Sequence, residues 1–149
     1  MSHVTVRLAT AQDRAQWLPL WQGYQAFYKA DLAAVTEATW SRFHDPAEPM
    51  HCAVAEAAGG RLVGLVHYIF HRSCWLREPS CYLQDLFAAP EVRGRGVGRA
   101  LIEHVYAAAA KAGSARVWWL THESNTQAMQ LYDRIADKSG FVQYRKALG

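Results

Sequence analysis

PEVRGRGVGRALIEHV, Pro90–Val105, sets Arg93, Arg95 and Arg99 among Gly94, Gly96 and Gly98, directly before an amphipathic stretch. Three glycines in five residues carry an entropic penalty on folding. Three neighbouring guanidinium groups repel one another unless an anion lies between them. Upstream, SCYLQDLFAA (Ser80–Ala89) is apolar enough to be a central strand. Downstream, Val97, Leu101 and Val105 share one helix face. A strand, a glycine-rich turn and a helix N-terminus in that order make an anion site, because the first N–H groups of a helix have no intrahelical partner and the macrodipole is positive there. Glycines let several N–H groups converge, and rim arginines add bidentate donors. The turn is built for a di- or polyphosphate.

Outward from this turn the remaining elements follow by periodicity. HVTVRLA (3–9) alternates as a half-buried strand, and TAQD (10–13) resembles a capping box. Trp17, Leu20, Trp21, Tyr24 and Tyr28 then recur at helical spacing, with Pro19 and Gly23 predicting a kink or a late start. TEATWSRFHDP is a second short helix ended by Asp45-Pro46. HCAVAEAAGGRLVGLVHYIFHRS gives two strands around Gly59-Gly60, and ARVWWL (115–120) is a further strand. Ala128, Leu131, Tyr132 and Ile135 mark a last helix that Gly140 ends, and FVQYRKAL closes as a strand. The order β-α-α-β-β-β-α-β-α-β predicts a mixed α/β (α+β) fold in a single domain, 1–149.

The bulk composition fits this picture. The chain has 149 residues, 51% hydrophobic and 19% charged, which suits one globular domain. A net charge of +3 is too small to argue for nucleic acid without a basic stripe or recognition motif. No apolar run is long enough to span a bilayer, and MSHVTVRLAT lacks a signal-peptide core, so a cytoplasmic setting is expected. Cys52, Cys74 and Cys81 are odd in number and irregularly spaced, which reads as reduced thiols.

Two phosphate-loop types fail. A Walker A loop ends in Gly-Lys-Ser/Thr, whereas here the chain reads Gly98-Arg99-Ala100. The dinucleotide fingerprint needs a sixth-place glycine or alanine, where Gly94 leads to Arg99 and Gly96 to Leu101. Arg93-Gly94-Arg95-Gly96-Val97-Gly98 instead resembles the R/Q-x-x-G-x-G/A signature of the GNAT superfamily of N-acetyltransferases. YLQDLFAAPEVRGRGVGRALI resembles that family's central strand, loop and helix, and NTQAMQLYDRIADKSGF (125–141) its second signature. The resemblance spans nearly the whole chain and is strongest from Tyr82 to Phe141.

This resemblance implies a GNAT-like, mostly antiparallel central sheet flanked by helices. It implies transfer of the acetyl group of acetyl-CoA, as co-substrate without a metal, to a primary amine by direct attack in a ternary complex. The acceptor would be a small amine, polyamine or amino-acid-like molecule, or a protein lysine or N-terminus, with no nucleic acid or membrane partner. Backbone groups near Leu86, Phe87 and Ala88 would meet the pantetheine arm. Arg93, Gly94, Arg95, Gly96, Val97, Gly98 and Arg99 would hold the pyrophosphate. Asn125 resembles the asparagine that contacts the cofactor, and Tyr132 the tyrosine that protonates the leaving thiolate. A homodimer is implied on the same ground. Each residue also has a plainer role: Tyr132 as core, Asn125 as a helix cap, Arg95 and Arg99 as solvated charges.

The base is open. Many polyamine-type relatives carry a glutamate where this chain has Gln84, which is no proton acceptor. Asp85 is the nearest carboxylate, which strand alternation turns away from Gln84, and a structural role is open to it as well as a catalytic one. The missing carboxylate leaves a second function class standing, a non-catalytic acyl-CoA-binding sensor. His67 and His71, four apart on a strand, read as edge or surface histidines. WLPLWQGYQAFY (17–28) reads mostly as core with a share in an amine pocket. Asp31, Glu37, Asp45 and Glu48 are the acids placed to attract a cation.

Overall fold

A computed structural model describes residues 3–149, which fall into two compact units, one ending at Trp119 and the other running from Leu120 to Gly149. The first unit carries β1 (Val4–Leu8), α1 (Arg14–Tyr28), α2 (Thr36–Phe43), β2 (Met50–Ala57), β3 (Leu62–His71), β4 (Ser80–Ala88), α3 (Val97–Lys111) and β5 (Arg116–Trp118). The sheet order is β1-β2-β3-β4-β5. Successive strands up to β4 pair antiparallel, and β4 pairs parallel with β5 across the α3 crossover. A parallel pair needs such a crossover because a tight turn cannot reverse the chain twice.

α1 and α3 cover opposite faces. Tyr68 on β3 points toward His104 of α3, its ring 6.2 Å away, whereas its neighbour His67 packs against Trp17 and Trp21 of α1. Trp17, Leu65, Leu101 and Ile102 are fully buried between these layers. On the α1 side the close approach to the sheet depends on Gly23, where a Cβ would lie 2.8 Å from the Phe87 ring. α1 is continuous from Arg14 through Pro19 to Tyr28, so the helix does not start late. Pro19 lies in the second turn and leaves the Ala15 carbonyl without its intrahelical donor. At the start of α1, the Thr10 N–H donates to Asp13 Oδ2 at 2.7 Å. Arg7 grips the same carboxylate with two hydrogen bonds and reaches Glu56 at 2.7 Å.

The second unit contains α4 (Thr126–Ile135). The helix stops at Ala136, whose backbone is extended, before the expected end at Gly140. FVQYRKAL forms no strand: the five-stranded sheet includes none of it, and Phe141, Val142, Tyr144 and Leu148 are exposed. An apolar pattern becomes a strand only where an edge supplies a ladder, and among the described residues none pairs with this segment.

Candidate active site

β4 has a free edge where the cofactor was expected. β5 pairs with it only from Ser80 to Tyr82, so among the described residues Leu83–Ala88 have no ladder partner on that side. Leu86 and Ala88 are partly exposed there, while the Phe87 side chain is buried against α1. The chain then turns through Pro90–Val92 into a loop where Gly94 and Gly96 hold φ of 78° and 84°. That left-handed conformation costs other residues about 1–2 kcal/mol. Gly96 caps α3, and the first intrahelical bond runs from the Ala100 N–H to the Gly96 carbonyl at 3.0 Å. The N–H groups of Val97, Gly98 and Arg99 lie ahead of that bond, so the helix itself offers them no acceptor. Nothing lies within 4 Å of where a Cβ on Gly98 would sit. A phosphate-bearing group therefore fits the turn, with convergent donors and room above them.

The arginines divide their tasks. Arg93 lies over the Phe27 and Phe87 rings at 5.6 and 5.3 Å, and its Nε donates to the Ala88 carbonyl at 3.1 Å. It pins the loop to α1 and β4. Arg99 Nε donates to Glu103 one turn on, at 3.0 Å. Beside Arg93, a cavity of about 710 Å3 opens between α1 and the end of β4, lined by Leu20, Gly23, Phe27, Phe87, Ala89 and Arg93 among others.

Asp85 lies on the same strand, 8% exposed. β3 and β4 pair His67 with Asp85 and then Tyr68 with Leu83, leaving Gln84 as the extra residue of a bulge. Because Ile69 faces Tyr82, and paired residues share a face, Asp85 and Tyr82 both point toward the α1 side. Gln84 is exposed. The Tyr24 hydroxyl is held above its ordinary pKa by burial first and then by the facing Asp85 carboxylate. Burial followed by the Asp85 charge does the same, less strongly, to Tyr28 and Tyr82. Tyr82 stacks on Trp118 at 4.2 Å. An anionic oxygen among phenol and indole rings is a setting for an ammonium group.

His67 is not the expected edge histidine. It is 3% exposed, accepts from the Trp17 indole N–H at 3.1 Å through Nε2, and meets Asp85 Oδ2 at 2.9 Å through Nδ1. The aromatic tract of α1 splits: Trp17 and Trp21 enter the core, while Tyr24 and Tyr28 turn to Asp85. The acids expected to attract a cation each have a local partner. Glu37 pairs with Arg14, Glu48 with Arg42, and Asp31 and Asp45 accept from the nearby N–H groups of Ala33 and Ala47. In the second unit Asn125 stands at the N-cap of α4, but its amide donates to Thr121 Oγ1 at 3.3 Å and caps no helix N–H. Tyr132 lies within α4, partly buried. Asp85 through Arg99 thus lie on one continuous strand, loop and helix, and Asn125 and Tyr132 on a separate helix.

The description of the acetyltransferase (GNAT) family matches residues 12–136. The chain belongs to the GNAT acetyltransferase family. Within it, the chain is 34% identical over 145 residues to the D-amino-acid N-acetyltransferase HPA3 of Saccharomyces cerevisiae, covering 96% of this chain and 90% of that protein. It is 34% identical over 92 residues to the thialysine N-epsilon-acetyltransferase of Bos taurus, covering 57% of this chain and 54% of the relative. The fold matches the structure of AAC(6')-Iy in complex with the bisubstrate analog CoA-S-monomethyl-acetylneamine, with a TM-score of 0.80 at 19% identity over 99% of this chain and all of that one. Family membership makes the protein an acyltransferase of the N-acetyltransferase kind, on the mostly antiparallel, helix-flanked sheet that the signatures implied.

Proposed function

We propose that this protein transfers the acetyl group of acetyl-CoA to the primary amine of a small, amino-acid-like molecule. The observation that carries the proposal is the run from the unpaired edge of β4, through Gly94 and Gly96, to the open first turn of α3. The backbone N–H groups of Val97, Gly98 and Arg99 would hold the pyrophosphate, with Arg93 keeping the loop in place. When bound, acetyl-CoA supplies an acyl group activated as a thioester. On the acceptor side Asp85 orients the ammonium among Tyr24, Tyr28 and Tyr82 and takes the proton whose loss leaves a nucleophilic nitrogen. Tyr132 is the proton source for the departing sulfur, and Asn125 is a further cofactor contact. A family description matching residues 12–136, across both units, supports reading 1–149 as one catalytic domain. Free Cys52, Cys74 and Cys81 support a reducing, cytoplasmic setting, in which the enzyme works as a homodimer.

The acceptor class rests on the yeast and bovine relatives, named for a D-amino acid and for thialysine. Asp85 brings one buried carboxylate to the face of Tyr24 and Tyr82 and suits one ammonium better than a long polycation. The test couples acetyl-CoA calorimetry to a thiol-release screen with D- and L-amino acids, thialysine, spermidine and an aminoglycoside. Micromolar acetyl-CoA binding with turnover of an amino acid or thialysine is expected. Binding without turnover of any amine would favour the sensor reading, and no binding at millimolar concentration would remove the cofactor assignment.

A further inference from the structure

Both ring nitrogens of His67 are committed. The Trp17 indole N–H can only donate, so Nε2 accepts and the ring proton is on Nδ1, aimed at Asp85 Oδ2 2.9 Å away. The ring is immobilised by Phe43, Trp21 and Trp17, with centroids at 4.6, 5.0 and 6.0 Å. The bond joins the paired rung His67–Asp85, next to the place where the β3–β4 ladder slips past the extra residue Gln84. His67 engages Oδ2, and the Tyr24 hydroxyl also hydrogen-bonds to the same carboxylate.

We propose that His67 is a positioning residue for acyl transfer: its Nδ1–H fixes the rotation of the Asp85 carboxylate, and the Trp17 N–H fixes the tautomer that makes this possible. The proposal rests on Asp85 handling the acceptor amine, as proposed above. Misplacing a reacting group by about 1 Å costs as much as 100-fold in rate, so a freed carboxylate should lower kcat more than it raises KM.

His67→Gln keeps an acceptor near the Nε2 position for Trp17 and removes the donor to Asp85. His67→Asn keeps an N–H near the Nδ1 position and abandons Trp17. With the best amine of the screen, His67→Gln should lose about 10- to 100-fold in kcat with acetyl-CoA affinity unchanged, and His67→Asn should stay within about five-fold of wild type. In an Asp85→Asn background, His67→Gln should add less than about two-fold. Imidazole 15N spectra of the wild-type chain should show the Nδ1–H tautomer, with a resonance that moves in Asp85→Asn. Equal losses in the two His67 variants, losses that follow melting temperature, additivity with Asp85→Asn, or an Nε2–H tautomer would each overturn the proposal. His67→Gln at wild-type kcat beside an impaired Asp85→Asn removes the positioning role alone. Wild-type kinetics in Asp85→Asn remove the role of Asp85 and this proposal with it, as does a screen in which no amine turns over.

Discussion

Gly98→Ala separates the stability of the α3 turn from its proposed use. Gly98 occupies the first turn of α3 in helical conformation, and nothing lies within 4 Å of the Cβ that alanine would add. Alanine is favoured over glycine in a helix by about 1 kcal/mol, and about half of that is expected in a first turn. The unliganded variant should therefore melt about 2 °C higher than wild type. The same methyl group would occupy the space where phosphate oxygens are proposed to meet the N–H groups of Val97, Gly98 and Arg99. A tenfold loss of acetyl-CoA affinity is expected. At ligand 100-fold above the wild-type Kd, binding stabilises wild type by about 2.7 kcal/mol and the variant by about 1.4 kcal/mol. The order of melting temperatures should thus invert on adding acetyl-CoA. Gly96→Ala is the counterpart: at φ 84° it should destabilise the unliganded protein by about 1–2 kcal/mol. Differential scanning fluorimetry of the three proteins with and without acetyl-CoA, backed by calorimetric Kd values, reads these outcomes. A Gly98→Ala protein that binds acetyl-CoA as wild type does would refute the placement of the phosphates.

Three further expectations follow from particular contacts. Arg7 holds the Asp13 carboxyl at about 2, below its ordinary 3.8, chiefly through its hydrogen bonds. With the native value below the unfolded one, this stabilisation is complete above about pH 5 and disappears as pH falls through 2. With Arg7 one-third exposed, Asp13→Asn should cost on the order of 1–2 kcal/mol at pH 7 and flatten the acid limb of a urea-midpoint profile, and an unchanged limb would refute it. His104 Nε2 is buried without a hydrogen-bond partner among the described residues, and burial lowers the pKa of the ring. His104→Phe should raise the urea midpoint by about 1 kcal/mol equivalent, with a larger gain at pH 5 than at pH 8, because acid must charge the wild-type ring. Tyr132→Phe should lower kcat at least tenfold with acetyl-CoA Kd unchanged, and full activity in that variant would end its proton-source role.

What the chain announces and what it conceals divide along a physical line. The turn at Gly94–Gly98 was readable because glycine density and a following apolar stripe are local signals, and the structure has the helix where it was expected, with Gly94 and Gly96 left-handed ahead of it. The surroundings of Asp85 were not readable. Alternation counts residues, whereas faces are set by ladder rungs, and at Gln84 the two counts part by one. Counting alone gave no sign that Asp85 joins Tyr82 on the α1 face. His67 was hidden for a related reason: its partners, Trp17 and Asp85, are 50 and 18 residues away, and only the packing of α1 on the sheet brings them together. The final apolar stretch misled in the opposite sense, since FVQYRKAL has strand composition but no ladder. The bulge also changes how Gln84 is to be weighed. Had β4 been regular, an amide at that position would have argued for a binding module. With the extra residue, the next side chain brings a carboxylate onto the face of Tyr24 and Tyr82, and the acceptor-handling role proposed for Asp85 draws on that placement.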